Sequence, residues 1–172
     1  MAVDMFLLFD AADAIVGESK DADAALGAKA IDVLAWSWGM SNSGTAHTGG
    51  GAGAGKVNVQ DLSITKYVDK ASPNLMLACC NGQHMNKEVK LIVRKAGKTP
   101  LQYIVIKMME VMVTSVTTGG SGGEDRLTEN VTLNFAKVEF DYQPQKSDGS
   151  KDGGVLDCKW DIAGNTNTYA AK

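Results

Sequence analysis

Histidine, cysteine and positive charge are all scarce in this chain. Two histidines and three cysteines among 172 residues leave little material for a structural zinc site, which takes about four N or S ligands, or for a histidine-based triad. Cys79 and Cys80 are adjacent, a spacing that resists bridging, and Cys158 makes the count odd, so a disulfide framework is excluded. Three reduced thiols in a reducing compartment are expected instead. Lys plus Arg number 17 against 20 Asp plus Glu, a net charge of −3, which lacks the basic footprint of a nucleic-acid binder. Long apolar runs are also missing. The longest stretch without a formal charge, Val33 to Gly55, fills its second half with Ser, Thr, Asn and Gly and cannot serve as a membrane span. Met1-Ala2-Val3-Asp4 puts an acid where a secretory leader is basic, and the apolar run Met5 to Phe9 is too short for its hydrophobic region. A cytoplasmic chain without a cleaved leader is therefore expected, and if it leaves the cell it must leave folded.

What the sequence does have is glycine and strands. Glycine supplies 19 residues, above the average of roughly 7%, concentrated at Gly49 to Gly55 and Gly119 to Gly123. Apolar runs or alternations mark strands at Met5 to Phe9, Ile31 to Met40, Val57 to Val68, Val89 to Arg94, Leu101 to Thr117, Val131 to Tyr142 and Val155 to Ile162. In the fourth of these Val89, Leu91 and Val93 alternate with polar neighbours, although Ile92 breaks the pattern. Two of the long runs change phase: Val131, Leu133 and Phe135 are odd-numbered, whereas Ala136, Val138 and Phe140 are even-numbered. Val57 and Val59 give way to Leu62 and Ile64 in the same manner. Such a change moves the apolar face to the other side and predicts bulges or barrel corners. One helix is predicted over about residues 73–81, with Ser72 as N-cap, Pro73 at the first position and Gly82 closing the end; Leu75, Met76, Cys79 and Cys80 form its buried side. The segment from Ala11 to Ala30 reads as an ordered loop or a weak helical turn. The expected fold is mainly β: one domain spanning residues 1–172, a small barrel or sandwich of two antiparallel sheets with one flanking helix and an extended Gly-rich loop over residues 41–56.

Two catalytic patterns fail on context. Gly50 to Lys56 spells G-x-x-x-x-G-K, but Val57 stands where a Mg²⁺-holding Ser or Thr belongs, and a strand follows where a helix should open. Gly119-Gly120-Ser121-Gly122-Gly123 matches the nucleophile elbow, yet His47 and His84 both precede it and a strand follows. Asn130-Val131-Thr132 is a glycosylation sequon that a chain without a leader does not present to the glycosylation machinery. Trp36 and Trp38 share one face of their strand, as core or interface aromatics; a monomeric β-sandwich binding module of the adhesin or carbohydrate-binding type, with these two as its platform, is the competing reading. No enzyme, cofactor or metal site is expected.

Longer motifs carry a resemblance. Ile31-Asp32-Val33-Leu34-Ala35-Trp36-Ser37-Trp38-Gly39, then Asp61-Leu62-Ser63-Ile64-Thr65-Lys66-Tyr67 with Ser72-Pro73, then Thr118 to Leu133, then Asp141-Tyr142-Gln143-Pro144 appear in order. Together they resemble the haemolysin-coregulated protein family, the tube subunit of bacterial type VI secretion. The resemblance implies a hexameric ring that stacks into a hollow tube inside contractile sheath proteins. The tube is tipped by a valine-glycine repeat spike protein and driven into a neighbouring cell, carrying or chaperoning small effectors. Under that resemblance Ser41, Asn42, His47, Gly50 and Lys56 are candidates for a ring-stacking loop. A long Gly-rich excursion between strands fits such an arm better than an idle loop. Ser121, Glu124, Asp125 and Arg126 are candidates for either a subunit seam or the lumen wall. A ring needs a head-to-tail interface that closes, and copies at −3 each repel only weakly.

Overall fold

The structure, a computed structural model, describes residues 3–10, 14–23, 26, 29–44, 55–85, 87–95 and 100–170. Its elements run β1 (Val3–Leu8), β2 (Ile31–Ser37), β3 (Met40–Asn42), β4 (Val57–Val59), β5 (Leu62–Tyr67), α1 (Ser72–Asn81), β6 (His84–Met85), β7 (Val89–Lys95), β8 (Leu101–Met109), β9 (Val111–Thr118), β10 (Thr128–Asn134), β11 (Lys137–Tyr142) and β12 (Leu156–Asp161). Ten strands pair in the order β12-β11-β8-β7-β1-β2-β5-β10-β9-β6, and β3 pairs with β4 as a separate ribbon. Every pairing is antiparallel. The two halves of the ladder meet at β1–β2 through only Phe6↔Asp32 and Leu7↔Ile31. One apolar cluster draws Leu7, Leu91, Ile106 and Val138 from the first half and Ile31, Leu62, Val113 and Leu133 from the second. The sheet therefore curls around a shared core, as the predicted barrel of two sheets requires.

Each phase change in the sequence is a corner between sheets, one joining the two halves of the ladder and the other joining the separate ribbon to the second half. Phe135 and Ala136 separate β10 from β11, and the Ala136 amide donates to the Met109 carbonyl at 3.1 Å. Gln60 and Asp61 separate β4 from β5. A third corner was hidden: Leu101 to Thr117 is two strands, broken at Glu110, whose φ of 55° lies in the left-handed region that non-glycine residues rarely adopt. The apolar residues Met108, Val111 and Val113 are buried on both sides of it, which is why the run reads as unbroken.

The helix is where predicted, with its cap revised. Ala71 is the N-cap, in helical conformation and without a side-chain cap, while Gly82 ends the helix in the left-handed region at φ 64°. Ser72 is buried inside the first turn, and its Oγ accepts from the Asp69 amide at 3.1 Å instead of capping. Leu75 and Ala78 form the buried stripe with Ser72; Cys79 is half-buried and Cys80 exposed, so the predicted face is rotated by about one residue.

The break in alternation at Ile92 has a structural cause. Ile92 lies on the outer face of β7, where it packs with Phe6, Leu26 and Ala30 in a second, small apolar cluster. Leu26 and Ala30 thus lie against the outside of the barrel, whereas Ile15 of the same segment joins the main core cluster. The Gly17 and Ser19 amides donate to the Lys29 and Ala30 carbonyls at 3.0 and 3.1 Å. A Cβ on Gly17 would stand 2.0 Å from the Ala30 carbonyl oxygen, so only glycine fits. Arg94, also buried, reaches outward to Asp21, to Asp23 at 3.2 Å and to Asp4 at 3.5 Å, and stacks over Phe6 at 4.8 Å.

Candidate functional site

The barrel carries two unlike outer faces. On the β7-β8-β11-β12 side, Lys90, Lys107, Glu139 and Lys159 stand in one cross-strand row. Lys107 contacts Glu139 at 3.0 Å and Asp141 at 2.8 Å. Partial burial opposes the Lys107 charge, but those two hydrogen bonds outweigh it and hold its pKa above the ordinary lysine value. The C-terminal tail crosses this side: Tyr169 donates to Glu88 at 2.8 Å and Lys137 to the Ala170 carbonyl at 2.7 Å. Burial and the Glu88 carboxylate push the Tyr169 phenol well above its usual range.

The middle of the β2-β5-β10-β9 side is uncharged, with Asp32 exposed on β2 toward one margin and Asp61 at the other. One row across it is Ser37, Ser63, Thr132 and Ser115, and the next is Ala35, Thr65, Asn130 and Thr117. All eight are exposed or half-exposed, and none carries a charge. Thr65 donates to Asn130 at 2.7 Å. At the far margin Asp61 accepts from Thr114 at 2.9 Å and from Asn134 at 2.7 Å, so its carboxylate is tied down. Except for the sequon at Asn130, sequence reasoning passed over these positions. Their signal was present, since the outward positions of Leu62–Tyr67 and of Thr128–Asn134 are Ser, Thr, Asn and Tyr where Lys and Glu are usual on exposed strand faces.

Beneath this face lies a buried ionic cluster. Glu129 and Lys66 sit opposite each other on β10 and β5, both on the inward phase. Lys66 Nζ contacts Glu129 at 2.7 Å and Asp69 at 2.8 Å and donates to the Tyr67 carbonyl at 2.8 Å. Ser72 Oγ donates to the same Glu129 oxygen at 2.7 Å, while Glu129 Oε2 is buried without a hydrogen-bond partner among the described residues. The cluster roots the loop over residues 119–127. There the Val68 amide donates to the Leu127 carbonyl at 2.9 Å, and the Arg126 guanidinium lies 3.9 Å over the Tyr67 ring. Ser121, Glu124, Asp125 and Arg126 are all exposed and brought together on this loop. No helix follows Ser121; the next regular element is β10.

The stacking candidates divide. Ser41 and Asn42 lie on the exposed ribbon β3, paired to Asn58 and Val57, so the Gly-rich excursion has a strand base. Lys56 is exposed beside that base, whereas His47 and Gly50 lie outside the described residues. Trp38 anchors the ribbon: its indole donates to the Gln60 carbonyl at 3.1 Å, and its ring lies 6.3 Å from both Phe135 and Phe140. Trp36 and Trp38 both pack against the core cluster, so neither forms an open platform. Trp38, Met40, Val59, Cys158 and Trp160 line a small apolar cavity of about 180 Å³. Among the described residues no group of three or more His, Cys, Asp or Glu side chains is placed to hold a metal. No helix among them is long and apolar enough to cross a membrane.

Comparison with known proteins shows the family. The sequence model of the family described as "Type VI secretion system effector, Hcp" matches residues 6–142. Protein Hcp1 of Pseudomonas aeruginosa is 61% identical over 166 residues, covering 96% of this chain and 98% of that protein. Among solved structures, a type six secretion system protein superposes with a TM-score of 0.85 at 29% identity, covering 96% of this chain and 99% of that one. Hcp1 of Salmonella typhimurium does so with a TM-score of 0.76 at 34% identity, covering 98% and 100%. The likeness therefore extends beyond the span Ile31 to Pro144 that the sequence motifs cover.

Proposed function

Because this chain belongs to the haemolysin-coregulated protein family, and is thus a tube subunit of type VI secretion, we propose that six copies close into a ring whose bore is lined by the neutral β2-β5-β10-β9 face. The observation that carries this reading is that uncharged face. A conduit for cargo of varied charge works best with a wall that neither attracts nor repels it over a Debye length. Two rows of short hydroxyl and amide side chains offer such a wall. The opposite charged face, with its paired Lys107, Glu139 and Asp141, then faces outward, toward contractile sheath proteins. Rings stack through the ribbon β3–β4 and the excursion it carries. The stack is capped by a valine-glycine repeat spike protein and carries small secreted effectors in its bore. The chain assembles in the cytoplasm and leaves it folded, and works by assembly without catalysis. Surface complementarity between copies is the whole mechanism, and heterologous contacts whose rotation closes are the route to a ring.

The stacking role is tested by excising residues 43–56 and closing Asn42 onto Val57 with an Asn-Gly turn, which suits a two-residue hairpin. Negative-stain microscopy of the variant is expected to show separate six-membered rings and no tubes. Tubes of normal length from the variant would contradict it.

A further inference from the structure

We infer that each ring grips the next by an apolar plug and socket: Val68 and Leu127, at one end of the barrel, enter a cavity beside the ribbon β3–β4 of a copy in the adjoining ring. This rests on the stacking reading above and names the surface that the ribbon meets. The socket is the cavity of about 180 Å³ lined by Trp38, Met40, Val57, Val59, Cys158 and Trp160 among others. Met40 is 49% exposed and Cys158 is exposed, so its mouth reaches solvent. No charged or hydroxyl-bearing side chain lines it, so it suits an apolar occupant and penalises a polar one. An apolar cavity of about 150 Å³ takes in benzene, and this one has room for a leucine side chain. Its wall is fixed before anything enters: the Trp38 indole donates to the Gln60 carbonyl at 3.1 Å, and its ring packs on Phe135 and Phe140.

The plug lies at the other end of the same strands. Val68 and Leu127 are 44% and 43% exposed and adjacent, the Val68 amide donating to the Leu127 carbonyl at 2.9 Å. Leu127 is supported from behind, since a Cβ on Gly120 would stand 2.6 Å from its Cδ2. Two residues inward on each strand, the buried Lys66–Glu129 pair holds the strand ends from which both project. Plug and socket cannot meet within one chain. Leu62, opposite Leu133, lies just past the bond from the Gln60 amide to the Gly39 carbonyl at the ribbon, whereas Tyr67, opposite Thr128, lies beside the plug. The five residue steps between them span about 17 Å. A projection at one end and its receptor at the other make a heterologous contact, and repeated along the strands it builds an open stack. Charge agrees with the fit. The charged groups beside the plug cancel once Lys66 is set against Asp69 and Glu129. Glu124 and Asp125 are then an acidic surplus, exposed and with carboxylates unpaired among the described residues. Lys56, exposed beside the socket and likewise unpaired among them, has the opposite sign.

Two substitutions at exposed positions test this in the full chain. Leu127→Asp puts a charge on the plug, and Met40→Lys puts one on the rim of the socket. Both sites are on the surface, so each variant is expected to give six-chain rings by native mass spectrometry. Negative-stain microscopy is expected to show a mean tube length at least about tenfold shorter than the parent's in each, because a charge is then carried into an apolar contact. Combining them sets opposite charges face to face and is expected to return tube length to within about threefold of the parent's. Should Leu127→Asp lose its rings, Val68→Asp takes its place with the same expectations. Parent-length tubes in both single variants would overturn the contact and leave the stacking reading intact, as would tubes in the double variant no longer than in either single one. A parent that forms rings but no tubes at any concentration would overturn the stacking reading, and this contact with it.

Discussion

At the scale of single residues, the most consequential pair is Lys66 and Glu129, both with fully buried side chains 2.7 Å apart. Removing one member of a buried pair strands the other charge away from water. Lys66→Ala or Glu129→Ala is therefore expected to lower unfolding stability by about 3–5 kcal/mol. Lys66→Met combined with Glu129→Leu is expected to recover part of that loss, because the Glu129 charge is then not stranded, while Asp69 still loses its contact with Lys66 at 2.8 Å. Denaturant midpoints at one fixed protein concentration check both statements, and single variants within about 1 kcal/mol of the parent would contradict the first. This pair was legible in hindsight. Leu62, Ile64 and Lys66 share a phase, as do Glu129, Val131 and Leu133, so alternation alone put two opposite charges inside. Residue type pulled the reading the other way, since lysine and glutamate are rarely buried. Ser72 was misread for a related reason: its position suits an N-cap, but the buried Glu129 carboxylate is a stronger acceptor for its hydroxyl than the helix is a donor to its oxygen.

At the scale of elements, strands were readable from alternation, and one barrel corner and the step from ribbon to barrel from a change of phase. The corner at Glu110 was not, because apolar residues continue across it and no glycine marks the left-handed residue. The 14–30 segment was opaque, since Ala, Asp and Gly carry little periodic signal and its anchor, Arg94, lies more than seventy residues away in sequence. That anchor has a pH signature. The Asp23 amide and then the Arg94 guanidinium hold the Asp21 carboxyl below its ordinary value of 3.8. A carboxyl whose folded pKa is depressed stabilises the fold above the unfolded value and loses that contribution as pH falls through the folded one. Asp21→Asn is therefore expected to be less stable than the parent at pH 6, with the gap closing as pH falls below about 3.8. Thermal melts of both chains across that range check it, and parallel curves would contradict it.

At the scale of the whole molecule, function was legible from long ordered motifs, not from any catalytic or metal-binding pattern. What the sequence could not display is which residues share a face, and so the neutral wall and the charged back. Ser63 and Thr132 stand side by side although 69 positions part them, and only strand order brings such residues together. Those surfaces make sense on a unit that meets copies of itself, while the packed Trp36 and Trp38 leave a solitary binding module without its platform. The mass of the purified protein in solution tests this most directly. Native mass spectrometry at micromolar concentration is expected to find a species of six chains; a single-chain mass at every concentration would contradict the account.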